Sequence, residues 1–140
     1  MLLQQLNRSD AEKVFIMVQN ASGSTTTQGA LACFDARTTS SLGNAVMQPI
    51  TSNLAAFVGV FDSDLAADAF GLAQVYGYRA SIVVHVGAAS VSAAGLSIGP
   101  ITACWSGQSN ATFKTANGPI VVLENDLSGP GWVKGFIRAL

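Results

Sequence analysis

The sequence predicts an all-β fold: a single-domain β-sandwich or small β-barrel with one short helical turn and an extended N-terminal arm. Three observations predict it. Fourteen glycines divide 140 residues into short lengths. Between them lie runs rich in Val, Ile and aromatic residues, the rhythm of many short strands. The strand–helix alternation that a parallel sheet requires is absent, which leaves a sandwich or barrel.

The elements follow in chain order. Residues 1–12 form the arm, with Leu2, Leu3 and Leu6 as a small apolar patch on a polar segment. Residues 13–140 form the single β-rich domain. Ser9-Asp10-Ala11-Glu12 has the form of a capping box. The residues after it are β-branched, so it is a turn entering a strand. Residues 14–18 (Val-Phe-Ile-Met-Val) are apolar on both pleat faces, which predicts that both faces are covered. Residues 20–27 form a polar loop and residues 30–34 the returning strand. Residues 57–61 form another strand, in which Gly59 marks a bulge or a close approach. Residues 65–69 form the helical turn, capped by Asp62, Ser63 or Asp64.

Residues 72–86 form one long strand. Leu72, Gln74, Tyr76, Tyr78, Ala80, Ile82, Val84 and Val86 share a face that is mostly apolar and is expected to meet the core. Arg79, Ser81 and His85 lie on the other. Strands usually run 3–10 residues, so Gly77 is expected to mark a bend or bulge. Ala94-Gly95 and Gly99-Pro100 frame turns. Residues 120–123 are a short buried strand, residues 127–131 a Gly/Pro loop, and residues 132–140 alternate again.

Composition excludes some functions. Charged residues make up 11% of the chain, against about 25% in an ordinary domain. Seven basic and eight acidic groups leave a net charge of −1. Nucleic acid needs a basic stripe and is excluded as a partner. Near-neutral charge with 49% hydrophobic residues favours association. No segment reaches the ~20 apolar residues of a membrane helix, and residues 1–6 lack the features of a signal peptide. Cys33 and Cys104 sit among apolar residues and are expected to be buried free thiols, although a bridge between them is open. Asn7, Asn20 and Asn110 begin glycosylation patterns that, without a secretion signal, indicate polar turns.

Catalytic patterns fail on context. Gly95-Leu96-Ser97-Ile98-Gly99 matches the nucleophile elbow of serine hydrolases, but Pro100 follows at once, so no helix opens. The one histidine, His85, precedes the serine, and its same-face neighbours Val83 and Ser81 offer no charge partner. Asp62, Asp64 and Asp68 suggest calcium, but Leu65, Ala66 and Ala67 occupy the positions where ligands are needed. Gly129-Pro130-Gly131 and Gly135 miss the spacing of a dinucleotide loop. The expectation is therefore no catalytic residues, no cofactor and no metal.

Four segments carry a family resemblance. They are Glu12-Lys13-Val14-Phe15-Ile16-Met17-Val18-Gln19-Asn20, Phe57-Val58-Gly59-Val60-Phe61-Asp62, Gly71-Leu72-Ala73-Gln74-Val75-Tyr76-Gly77-Tyr78 and Ala94-Gly95-Leu96-Ser97-Ile98-Gly99-Pro100. Over residues 12–100 their order resembles the head decoration (cement) proteins of tailed bacteriophages. The resemblance implies a non-enzymatic protein, made in the host cytoplasm, that binds the major capsid protein on the capsid surface of the virion, often as a homo-oligomer, with a trimer favoured. It carries over no catalytic residue. Leu2, Leu3, Leu6, Trp132, Phe136 and Leu140 are the expected contact residues, taken from the two apolar ends of the chain. The alternatives are a head–tail connector or tail-tube protein, or a small hydrolase using Ser97.

Overall fold

The structure, a computed structural model, describes residues 12–35, 43–84, 94–101, 107–108, 118–124 and 131–139. Nine strands run through them: β1 (Val14–Asn20), β2 (Leu31–Phe34), β3 (Ala45–Met47), β4 (Phe57–Phe61), β5 (Phe70–Val84), β6 (Ser97–Pro100), β7 (Gly107–Gln108), β8 (Ile120–Val122) and β9 (Gly131–Arg138). The fold is all-β, with no helix among the described residues.

The strand order is β1-β3-β2-β4-β5-β7-β6-β8-β9, and β5 also pairs with β1 and β9. The pairings therefore close twice. β1, β3, β2, β4 and the first half of β5 form one small barrel. The second half of β5 joins β7, β6, β8 and β9 in another ring. A fifteen-residue strand can serve both because different neighbours use its two halves. β1 pairs with residues 70–76 and β9 with residues 76–84.

Each ring has its own core. Val18, Ala32, Val46, Val58, Phe61 and Ala73 fill the first. Leu31, Val60, Ile82, Ile98, Ile120, Val133 and Ile137 fill the second. β2 and β4 separate the two. Leu31 and Val60, directly paired, face the second core, while Ala32, Val58 and Phe61 face the first. That explains why β4 is apolar on both faces. Each fully buried Val, Leu or Ile contributes about 1.5–3 kcal/mol. The close approach expected at Gly59 is real: a side chain there would meet the Gln74 carbonyl.

The core face of β5 departs from the expected alternation. Leu72 and Tyr76 are exposed, while Ala73, Val75 and Arg79 are buried; of the expected face, Gln74, Ile82 and Val84 turn inward. Two irregularities switch the register, one beside Val75 opposite Val14/Phe15 and one between Arg79 and Ile82. Gly77 sits between them with φ +102, against the Glu12 carbonyl. Side chains reverse faces whenever an extra residue enters a ladder.

The helical turn expected at residues 65–69 is not formed. Leu65 instead makes a two-way bridge with Thr26, its N–H donating to the Thr26 carbonyl at 3.0 Å and its own carbonyl accepting the Thr26 N–H at 2.9 Å. A tight turn follows, with Asp68 at φ +60. The acids expected to cap a helix are used elsewhere: Asp64 accepts the Gln28 N–H at 2.8 Å and Asp62 accepts Arg79 at 2.9 Å. Asn20 fastens the same corner. Its buried side-chain amide donates to the carbonyls of Ser24, Leu65 and Ala66, and its oxygen accepts from Ser22. An Asn so enclosed is no glycan acceptor.

Candidate interaction surface

β1 does not have both faces covered, contrary to the sequence expectation. Its inner face, Ile16, Val18 and Asn20, enters the first barrel. On its outer face Phe15 and Met17 are exposed, Met17 at 63%. β5 presents Phe70 and Leu72 beside them, Leu72 at 44%. Met17 and Leu72 are directly opposite across the ladder. Their Cβ atoms are then about 5 Å apart, and Phe15 and Phe70 lie on the diagonals. Gln74 would interrupt the row, but it is buried, its amide donating to the Tyr76 and Tyr78 carbonyls at 3.1 Å each. The row resumes at Tyr76, which meets Phe136 of β9 edge to face at 5.1 Å and 85°. Apolar side chains thus run as a strip across β1 and β5 to Phe136 of β9, where the exposed Arg138 lies opposite Tyr76. Contiguous exposed apolar surface on a sheet is the physical mark of a contact site.

Of the residues expected to make contacts, Phe136 borders this strip. Trp132 is half-exposed at the other end of β9, its indole lying against Gly29. Leu2, Leu3, Leu6 and Leu140 lie outside the described residues. Phe15, Met17, Phe70, Leu72 and Tyr76 were missed. Their signal was the doubly apolar run at residues 14–18, which fits a face awaiting a partner as well as it fits a covered strand.

Ser97 is the first residue of β6, paired with Val121, and not the apex of a strand–turn–helix. The turn precedes it, at Gly95 with φ +89. His85 and Cys104 lie outside the described residues. Cys33 is a free, buried thiol, and burial pushes its pKa up to about 12. No three His, Cys, Asp or Glu side chains among the described residues are grouped to hold a metal. A cleft of about 290 Å³ lies between Phe57, Pro100, Pro119 and Arg138, and Ser97 does not line it.

No protein-family model matches the chain, and no curated protein matches it.

Proposed function

We propose that the protein is a structural virion component that decorates an assembled icosahedral capsid, binding the major capsid protein through the apolar strip of β1 and β5. The single observation that carries this reading is the Met17–Leu72 pair at the centre of an exposed apolar sheet face. The resemblance of residues 12–100 to phage decoration proteins supplies the partner. Binding proceeds by burial of the strip against the shell. A standard interface takes about 800 Å² from each partner, and repetition over a lattice turns modest single contacts into lasting attachment. With seven basic and eight acidic groups there is little long-range steering, so binding depends only weakly on salt.

The experiment is co-sedimentation with pre-formed capsids that lack this protein, followed by imaging. Regular density over the outside of the shell supports the proposal. Density confined to the portal vertex or tail overturns it in favour of a connector or tail-tube role. Loss of binding in Met17→Lys with Leu72→Lys assigns the contact to this face.

A further inference from the structure

We propose that Met17 is an oxidation site that governs the contact face of β1 and β5: a hydroperoxide converts its thioether to the sulfoxide, and the face then releases its partner. The loss of attachment rests on the capsid-binding reading; the selective oxidation of Met17 does not. Three sulfur atoms lie among the described residues, on Met17, Cys33 and Met47. Met17 is 63% exposed, the most open large apolar side chain among them. The strand fixes that exposure. Val18 turns into the first barrel and Ile16 packs against it, so Met17, between them, leaves the sheet on the outer face. Met47 and Cys33 are paired across β3 and β2 and are both buried. Burial also keeps Cys33 as the unreactive thiol. Oxidation of sulfur follows access, so a peroxide reaches Met17 before the other two.

The step is a two-electron oxygen transfer. The sulfur lone pair attacks the terminal oxygen of the peroxide, and the O–O bond breaks as the S–O bond forms. The terminal proton passes to the departing oxygen, which leaves as water or an alcohol. Sulfur is oxidised and the peroxide reduced; methionine sulfoxide reductases reverse the change. The product places a polar acceptor where the thioether was apolar. Leu72 stands directly opposite, with Phe15 and Phe70 on the diagonals. None of these side chains donates a hydrogen bond. The nearest amides are engaged, Gln19 with the Asp68 carbonyl at 3.3 Å and Gln74 with the Tyr76 and Tyr78 carbonyls. In the free protein water satisfies the new oxygen, and the fold is unchanged. At an apolar contact that water is expelled and the acceptor is left unpartnered, which weakens each contact by roughly 5- to 150-fold. Repetition over a lattice multiplies the loss.

The test treats the free protein with hydrogen peroxide and locates the sulfoxides by peptide mass spectrometry. Met17 is expected to oxidise about tenfold faster than Met47 or more, with the circular dichroism spectrum unchanged. Partly oxidised protein is then mixed with a limiting amount of capsids and sedimented. Met17 sulfoxide should collect in the supernatant and unmodified Met17 in the pellet, while the sulfoxides of other methionines divide evenly. Treating the supernatant with a methionine sulfoxide reductase should return its protein to the pellet when fresh capsids are added. Oxidation of Met47 as fast as Met17 overturns the proposal. So does an even division of Met17 sulfoxide between pellet and supernatant. The oxidation arm uses no capsids, so selective oxidation of Met17 in a protein that never binds them rejects the decoration reading and leaves the oxidation site standing.

Discussion

The guanidinium of Arg79 lies 3.3 Å from the side-chain oxygen of Gln74, five residues earlier on the same strand. On a regular strand, residues five apart point to opposite faces. They meet because β5 bends at Gly77. The two side chains then serve the main chain that the bend disturbs. Gln74 donates to the carbonyls of Tyr76 and Tyr78. Arg79 donates through Nε to Ser81 at 3.0 Å and through Nη2 to Phe61 at 2.8 Å, where β4 ends. The polar residues of β5 are thus structural, and the junction between the two rings depends on them.

Gly77→Ala should be severely destabilising. The φ of +102 disfavours any side chain, and a Cβ would collide with the Glu12 carbonyl. Strain of this kind costs about 1–3 kcal/mol before the collision is counted. Urea unfolding followed by circular dichroism is the check; a midpoint equal to the parent's would refute the role given to the bend.

Arg79→Lys should also destabilise, by roughly 1–3 kcal/mol. Arg79 is only 6% exposed. A lysine ammonium cannot reproduce a planar fork that reaches Ser81, Asp62, Gln74 and Phe61 together. Arg79→Met should be no better, because the carbonyls it leaves lie at a buried junction. Thermal melts of the two variants against the parent measure this.

Met17→Lys with Leu72→Lys should leave folding nearly untouched, within about 0.5 kcal/mol, since both side chains are exposed. Capsid co-sedimentation should fall sharply. A double variant that binds like the parent would move the contact elsewhere on the molecule.

Cys33 predicts a specific alkaline weakness. Its pKa of about 12 in the folded chain exceeds the ordinary thiol value of 9.0. Between these values the unfolded chain releases a proton that the folded chain keeps. Stability is therefore full below pH 9 and falls as pH rises toward 12, by at most about 1.4 kcal/mol per pH unit. Cys33→Ala should lack this component of the slope. At pH 8 iodoacetamide should label Cys33 in urea much faster than in the native protein.

Ile137→Ala should cost about 2–5 kcal/mol, the usual range for emptying a fully buried aliphatic site. Ile137 is completely buried in the second core, on a strand that pairs with both β5 and β8. Deleting residues 132–140 removes that strand and should prevent soluble expression.

The sequence alone determined the all-β class and six strands near their observed positions, because glycine punctuation and β-branched runs are local properties. It also marked Gly59 and Gly77 as special, since a glycine inside a strand has few other uses. Three short strands, β3, β6 and β7, were not legible. Strands this short are held largely by their neighbours, and unlike β8 these three carry no run of β-branched residues. Only the tertiary structure decided which face of β5 meets the core, because each added ladder residue reverses the faces and its position depends on the partner strand. It alone turned residues 65–69 from a helix into a bridge, through Thr26, 39 positions earlier in the chain. It alone separated the apolar runs that are buried on both sides, as in β4, from β1, where one apolar face is left to solvent. Apolar composition is the same in both; coverage is a property of what the rest of the chain places opposite.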